Sequence, residues 1–117
     1  MLKIYHNPRC SKSRAALNYL EEQGLDFTVR LYLEDQFSTA ELNALLKKLA
    51  ITARELLRTG EADYKDNNLK DPKLNEAELV EFMVKYPKLI ERPIIEDKQA
   101  AIVARPLDKL IDFLADE

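Results

Sequence analysis

The sequence is poor in the residues that disulfide-linked and metal-binding proteins use in groups. Its 117 residues include one cysteine, one histidine, two glycines and no tryptophan. A single cysteine excludes an intramolecular disulfide, and one cysteine with one histidine falls short of the usual zinc ligand set, so we expect no metal. Any redox cycle at this cysteine therefore needs a second thiol from another molecule.

Long apolar runs and an excess of positive charge are also missing. No apolar stretch approaches the ~20 residues that span a bilayer, and the opening MLKIYHNPRC lacks the apolar core of a signal peptide. The net charge of −3 argues against a nucleic-acid binder, which neutralises phosphates with clustered cations. We therefore expect a cytoplasmic protein that binds neither membrane nor nucleic acid. Since no feature demands a dimer, we also expect a monomer.

The first third of the chain has the pattern of a βαβ unit. Residues 2–6, LKIYH, are a short apolar strand, and residues 10–23 have a helical pattern that ends before Gly24, a typical residue just past a helix. Residues 27–33, FTVRLYL, alternate well enough to form a second strand. A strand, a helix and a strand within this length predict a right-handed crossover with parallel strands.

The rest of the chain predicts a helical insert followed by a hairpin and a helix. Three helices have capping-box spacing or a close variant, and they begin at Ser38, Thr52 and Asn75. The polar segment at about 61–75 is predicted to be a mobile flap or a broken helix. Residues 93–106 are predicted to form a β-hairpin, and residues 106–117 a helix whose inward residues are Leu107, Leu110, Ile111 and Leu114.

The fold class predicted from this order is α/β, with a mixed sheet of about four strands. The strands are arranged as β-α-β and then β-β-α. We expect a single domain over residues 1–117, with the helical insert at about 38–90.

Cys10 lies where the first strand ends and the first helix begins. A helix N-terminus carries unpaired N–H groups and a partial positive charge, which stabilise a thiolate, the nucleophilic form of cysteine. Arg9, Lys12 and Arg14 flank the thiol, and Ser13 at i+3 is positioned to donate a hydrogen bond to the thiolate. The alternative is a buried cysteine that acts as a small hydrophobic residue. The polar and basic surroundings favour the nucleophile.

His6, four residues before Cys10, has two interpretations. It can assist proton transfer or favour the thiolate at Cys10. A histidine at the end of a strand whose ring is satisfied by the backbone is an equal alternative.

Two arginines face each other in the predicted hairpin. If the turn is centred between residues 98 and 99, Arg92 lies opposite Arg105, and each precedes a proline. Like charges directly across a strand pair destabilise it, so the pair indicates an anion bound between two guanidinium groups. The alternative is that both side chains extend into water. Pro93, which opens a strand after a loop, is a candidate cis-proline. Arg58 is ambiguous, because a cation in the last turn of a helix ordinarily complements the helix dipole.

Four stretches together resemble the ArsC family, in particular its glutathione- and glutaredoxin-dependent arsenate reductases. They are YHNPRCSKSR, ARELLRTGE, LIERPII and VARPLDKL, and the similarity covers essentially the full length in order. The resemblance implies a thioredoxin-like fold with a helical insertion. It also implies roles for individual residues: Cys10 as the nucleophile, His6 and Ser13 in activating the thiolate, Arg58, Arg92 and Arg105 in holding the oxyanion, and Pro93 as the cis-proline beside the thiol.

The function implied by the resemblance is reduction of arsenate to arsenite. Glutathione would act as a co-substrate, glutaredoxin as the partner, and no cofactor would be bound. Two alternatives stay open. One is an Spx-like regulator that binds RNA polymerase, although such members typically carry Cys-x-x-Cys and here Ser13 replaces the second cysteine. The other is a glutathione-linked thiol reductase with a different substrate.

Overall fold

The computed structural model describes residues 2–115, which divide into two compact units. The first unit combines the chain up to Asp35 with the chain from Arg92 onward, and the second is Gln36–Glu91. The second unit covers the stretch for which the sequence predicts a helical insert. Residues 116 and 117, the end of the predicted terminal helix, lie outside the described residues.

Ten helices and strands and one short 3-10 helix follow each other along the described chain. In order they are β1 (Leu2–Tyr5), α1 (Ser11–Glu22), β2 (Phe27–Arg30), α2 (Thr39–Leu49), α3 (Ala53–Leu56), α4 (Ala62–Asp66), α5 (Glu76–Lys85), the 3-10 helix (Pro87–Leu89), β3 (Ile94–Glu96), β4 (Ala101–Val103) and α6 (Leu107–Ala115).

The strands of the first unit form one mixed sheet of four strands in the order β2-β1-β3-β4. β1 runs parallel to β2 and antiparallel to β3, and β4 is antiparallel to β3. The βαβ crossover puts α1 against the sheet, and α6 packs beside α1. The predicted mixed four-stranded sheet is thus confirmed.

The core of the first unit lies between this sheet and its two helices. Alternate residues of β1 point to the same face, which is why Leu2 and Ile4 are buried together. The residues of α1 that join them, Ala16 and Leu20, are four apart and share one helix face. The buried cluster comprises Leu2, Ile4, Ala16, Leu20, Ile95, Ala104 and Leu110.

Two details of the first unit differ from the sequence prediction. β2 ends at Arg30 and does not continue to residue 33, because the amides of Glu34 and Asp35 both donate to the Leu31 carbonyl and turn the chain. In α6, Leu110 is buried as predicted, but Ile111 is 39% exposed, so its prediction as an inward residue was wrong. The neighbouring elements cover only part of the apolar face that the periodicity of this short helix predicts.

The second unit is helical. All three predicted capping boxes are present, with the Ser38, Thr52 and Asn75 side chains each accepting from the amide three residues on. The helices α2 and α3 both contact α5. The apolar face of α2 is buried in full and consists of Leu42, Leu45, Leu46 and Leu49.

The polar segment at 61–75 contains one short helix, α4, followed by turns. Asn68 adopts a left-handed conformation with φ of 52°, which ends the helical run. Within residues 2–115, no helix combines the length and the apolar character needed to cross a bilayer.

Candidate active site

Four chain segments meet at one edge of the sheet in the first unit. The register pairs Tyr5 with both Arg30 and Ile94, and Ile94 with Val103. β3 is antiparallel to β1, whereas β2 and β4 are parallel to β1. The last residues of β1, β2 and β4 therefore lie at the same edge of the sheet as the first residues of β3. This edge therefore carries the loop that follows β1, the residues that follow β2, those that precede β3 and those that follow β4.

The loop after β1 is a β-turn over Asn7–Cys10. The Cys10 amide donates to the Asn7 carbonyl at 3.0 Å, which closes the turn. Pro8 occupies the second position, where its fixed φ suits a turn, and the Asn7 side chain accepts from the Arg9 amide at 3.0 Å. The sequence Asn-Pro thus dictates a compact turn that delivers the chain directly into α1.

Cys10 is the N-cap residue of α1, with an extended backbone at φ −95° and ψ 122°. Its side chain makes no capping hydrogen bond, and its residue is 8% exposed. The first turn of α1 contains no acidic residue. The N-cap position lies beside the free amides of the first turn and the positive end of the helix dipole.

His6 and Ser13 form a buried pair behind the turn. His6 Nδ1 lies 2.7 Å from Ser13 Oγ, and the Asn7 amide donates to the same oxygen at 3.0 Å. The His6 residue is 5% exposed and Ser13 is fully buried. Burial lowers the pKa of His6 below 6.5, and the positive charge of Arg14 lowers it further. The imidazole is therefore neutral at neutral pH.

The hydrogen-bond partner of Ser13 differs from the one that the sequence predicts. Ser13 was predicted to donate to the thiolate of Cys10, but its hydroxyl is bonded to His6 and Asn7. His6 in turn is satisfied by a side chain, and the carbonyl of Arg30 accepts its backbone amide at 2.9 Å. Sequence spacing alone did not reveal this pair, because the turn at 7–10 brings a strand end against the first turn of the helix.

Arg92 and Arg105 lie at the open end of the hairpin in the predicted register. The β3–β4 pairing continues through a hydrogen bond of 2.8 Å from the Ala104 amide to the Pro93 carbonyl, so the next residues face each other. The guanidinium of Arg105 reaches the Arg92 carbonyl at 3.5 Å. The Nε and Nη1 atoms of Arg92 are shielded from solvent.

Both arginines precede cis peptide bonds. The Arg92–Pro93 bond is cis, and so is the Arg105–Pro106 bond. The first is the bond that the sequence singled out. The second was not predicted, although the repeated Arg-Pro pair was visible in the sequence.

Arg58 belongs to the second unit. An antiparallel bridge pairs Leu57 with Ile90, and the Arg58 amide donates to the Leu89 carbonyl at 2.8 Å. The guanidinium forms ion pairs with Glu61 at 3.5 Å and with Glu91 at 3.6 Å. Because α3 ends at Leu56, Arg58 lies beyond the helix and is not the last-turn cation that the sequence offered as an alternative.

Comparison with known proteins identifies the family of this chain. The ArsC family model matches residues 5–113. The chain is 47% identical to YfgD of Escherichia coli K12 over 97% of this chain and 96% of YfgD. It is 41% identical to an arsenate reductase of Haemophilus influenzae, with 95% of this chain and 97% of that protein covered.

A solved structure agrees with the fold. An arsenate reductase from Vibrio cholerae superposes with a TM-score of 0.91 at 41% identity, covering 95% of each chain. Together with the mixed four-stranded sheet, this confirms the thioredoxin-like fold that the resemblance implied. By sequence over almost its whole length and by structure, the chain belongs to the ArsC family.

Proposed function

We propose that this chain reduces arsenate to arsenite through a single nucleophilic cysteine, Cys10, with glutathione and glutaredoxin supplying the electrons. The observation that carries the proposal is the convergence of Cys10, Arg92 and Arg105 on one edge of one sheet. A thiolate and two guanidinium groups there can engage a single oxyanion. The arsenate reductases among the relatives support the same substrate.

The reaction begins with the Cys10 thiolate attacking arsenic, which forms an S–As bond and expels hydroxide or water. Glutathione then replaces a second oxygen on arsenic and releases water. A glutaredoxin thiolate then attacks the glutathione sulfur and forms a disulfide with it. The bond between the glutathione sulfur and arsenic breaks, and its electron pair reduces As(V) to As(III). Hydrolysis releases arsenite and restores Cys10. The only cysteine of the chain thus needs two external thiols.

Arg58, Arg92 and Arg105 are the proposed oxyanion ligands. A guanidinium forms paired hydrogen bonds with tetrahedral oxyanions and stays charged throughout the cycle. On a chain with a net charge of −3, anion binding depends on local positive charge. Arg92 and Arg105 are held on the sheet edge by the hairpin, and Arg58 is held by the bridge between Leu57 and Ile90.

His6 and Ser13 are proposed to support the thiolate indirectly. Ser13 Oγ accepts from the Asn7 amide and shares a proton with His6 Nδ1. When Nδ1 is unprotonated, the hydroxyl hydrogen is donated to the ring. When Nδ1 carries a proton, the ring donates and the hydroxyl hydrogen is released toward another acceptor, for which the N-cap sulfur is the candidate. A proton arriving at His6 would in this way stabilise the leaving thiolate.

The cytoplasm is the proposed compartment, because glutathione and glutaredoxin keep thiols reduced there. The proposed working form is a monomer without bound cofactor. Glutathione enters as co-substrate and glutaredoxin as a transient protein partner.

A coupled assay tests the proposal. Arsenate-dependent NADPH oxidation is measured with glutathione, glutathione reductase and glutaredoxin, and each component is omitted in turn. We expect turnover only with the complete mixture and its loss in Cys10→Ser, with Ser11→Ala as the control for a change in the same turn. Turnover by Cys10→Ser would disprove the mechanism.

The same assay separates the alternatives. Reduction of a disulfide substrate without any activity on arsenate would support a glutathione-linked thiol reductase. Capture of RNA polymerase by the purified chain, with no turnover of either substrate, would support an Spx-like regulator. Activity with thioredoxin in place of glutaredoxin and glutathione would retain the substrate and overturn the electron route.

A further inference from the structure

The peptide between Pro8 and Arg9, at the centre of the turn before Cys10, is held at both of its polar ends. Its N–H, from Arg9, donates to Asn7 Oδ1 at 3.0 Å. Its C=O, from Pro8, accepts from Arg14 Nη1 at 2.8 Å. The second of these bonds comes from a side chain six residues away, on the first turn of α1.

The central peptide is the part of a β-turn that can reverse. Turn types I and II share the same closing hydrogen bond and differ by a flip of this peptide, which gives the third residue a positive φ in type II. Among residues 2–115, the non-glycine residues with positive φ are Ala50 and Asn68, so Arg9 has the negative φ of a type I turn. A flip would withdraw both polar groups from their partners and change the direction in which the chain enters Cys10.

Arg14 is tied to the turn from two sides. Its backbone amide donates to the Cys10 carbonyl at 3.0 Å, which is the first hydrogen bond of α1. Its guanidinium donates to the Pro8 carbonyl, two residues before Cys10. Arg14 therefore bonds both to the turn before the thiol and to Cys10 itself. A movement of the turn must either break the side-chain contact or move the end of the helix.

We propose that Arg14 is a positioning residue that, by holding the Pro8 carbonyl, fixes the turn that presents the Cys10 thiol to substrate. The kinetic part of this inference rests on the function proposed above, whereas the structural part does not. Arg14 does not need to touch the oxyanion. Its contribution is to keep the sulfur in one orientation, and small misplacements of a reacting group are costly to the rate.

The charge of Arg14 has a second, separable effect on His6, whose pKa it lowers. Ser13 contacts the ring of His6 from α1, the Arg30 carbonyl accepts its amide from β2, and the β1–β3 register places Pro93 opposite it. Arg14→Gln removes both the charge and the strong donor, and Arg14→Lys keeps the charge but loses the planar fork.

The first test needs no turnover. Exchange of the Arg9 amide with water is measured by NMR in the full chain and in Arg14→Gln, Arg14→Lys and Lys12→Gln. We expect several-fold faster exchange in Arg14→Gln, a smaller increase in Arg14→Lys and no change in Lys12→Gln. Lys12→Gln is the matched control, because it removes one positive charge from the same helical turn.

The second test separates charge from position. The single histidine gives one resolved ring resonance, whose titration midpoint we expect to rise in Arg14→Gln and to stay unchanged in Arg14→Lys. In the arsenate assay we expect kcat to fall about tenfold in Arg14→Gln with KM within about twofold.

The outcomes divide clearly. If Arg9 exchange in Arg14→Gln equals that in Lys12→Gln, Arg14 does not hold the turn and the inference is wrong, whatever the chain does with arsenate. If exchange rises but kcat is unchanged, the turn is held without consequence for the reaction, and the positioning role is overturned. If the wild-type chain does not reduce arsenate, the proposed function fails while the exchange result still decides the structural role. The rate of Cys10 alkylation by iodoacetamide then decides the positioning: we expect it to be lower in Arg14→Gln than in Lys12→Gln, and equal rates would overturn the positioning role.

Discussion

At the scale of single residues, the buried pair of His6 and Ser13 organises the site. Ser13 is fully buried and has one hydroxyl for two neighbours, the His6 ring at 2.7 Å and the Asn7 amide at 3.0 Å. Buried polar groups that lose their partner carry a full desolvation cost. The pair therefore links the end of β1, the turn and the first helical turn through one oxygen atom.

Ser13→Ala tests how much that oxygen contributes to the free energy of unfolding. The substitution leaves the Asn7 amide and His6 Nδ1 without their partner, so we expect a loss of about 1–3 kcal/mol in the free energy of unfolding. Urea denaturation measures it, and Ser11→Ala, at an exposed position of the same turn, should change stability little. Equal stability of the two variants would contradict the contact.

His6 predicts a pH dependence of stability. Because burial and Arg14 lower its pKa in the fold, the unfolded chain binds the proton first as the pH falls below 6.5. Stability is then lost as the pH drops from the unfolded value toward the lower folded value. His6→Asn, which keeps a polar atom near the Nδ1 position and does not titrate, should lack this loss.

The measurement is a series of urea unfolding curves between about pH 7 and pH 5, a range in which no other side chain with an ordinary pKa changes charge. The chain has one histidine, so the difference between wild type and His6→Asn isolates this group. Parallel curves for the two proteins would show that His6 titrates in the fold as it does in the unfolded chain.

At this scale the sequence predicted where the residues of the candidate site lie along the chain, but not which of them hydrogen-bond to each other. The positions of His6, Cys10 and Ser13 at a strand end and a helix start followed from hydrophobic periodicity and the Asn-Pro turn signal. The partner of Ser13 did not follow, because it depends on side-chain rotation and on how tightly the turn folds back. The same holds for Arg14, whose contact with the Pro8 carbonyl spans six residues and has no periodic signature.

At the scale of elements, local chemistry determined most of what was found. The three capping boxes were read directly from residue pairs three apart, and the hairpin register was fixed by the position of its turn. In that turn, Asp97 Oδ1 accepts from the amides of Gln99 and Ala100, so one side chain shapes the reversal. Facing arginines could be inferred for this reason, since register in a short hairpin propagates from the turn.

What the periodicity of the sequence did not determine is where elements stop and how fully a helix is covered. β2 ends early because the Leu31 carbonyl collects two amides and because Arg30 bonds the Asp35 carbonyl at 3.1 Å. Ile111 is exposed because burial depends on how much surface the neighbouring elements cover. The first outcome depends on turn contacts between residues three to five apart and the second on tertiary packing, and residue periodicity contains neither.

The two glycines supply a matched prediction at this scale. A Cβ at either Gly24 or Gly60 would meet nothing within 4 Å, but only Gly24 has a left-handed φ, of +67°, where it ends α1. We therefore expect Gly24→Ala to lower the free energy of unfolding by about 1 kcal/mol, because an L-residue is strained there.

Gly60→Ala serves as the control, since it adds the same methyl group without that backbone conformation. Thermal or urea unfolding of both variants gives the comparison. A cost of similar size at both positions would mean that conformation is not the cause.

At the scale of the whole molecule, positive charge is unevenly distributed. The chain has a net charge of −3, yet its first 20 residues hold four lysines and arginines and no acidic residue. Arg92 and Arg105 belong to the same edge of the sheet as the loop in that segment, whereas the charge of Arg30 at that edge is paired with Asp35 at 3.3 Å. A negative protein thus presents a positive region around its only thiol, which attracts anions at long range.

Salt dependence tests this arrangement. Because exposed charges are screened by ions, we expect kcat/KM for arsenate to fall from low to physiological ionic strength, mainly through KM. Arg105→Gln should raise KM roughly ten- to hundredfold through the loss of charged hydrogen bonds, and Arg105→Lys should raise it less. Lys98→Gln, with the same charge change in the turn at the opposite edge of the sheet, should behave as wild type; an equal effect there would indicate net charge alone.

The pairing of β1 with β3 joins segments far apart in the chain, as the 2.6 Å hydrogen bond from Tyr5 to Glu96 across 91 positions illustrates. The residues between them include the whole of Gln36–Glu91, which is compact by itself. The entropy lost on closing a loop grows only logarithmically with its length, so doubling the intervening chain would cost about 0.6 kcal/mol. Lengthening an exposed loop of the insert should therefore leave the sheet and its thiol in place, because closing the longer chain adds little to the free energy of folding.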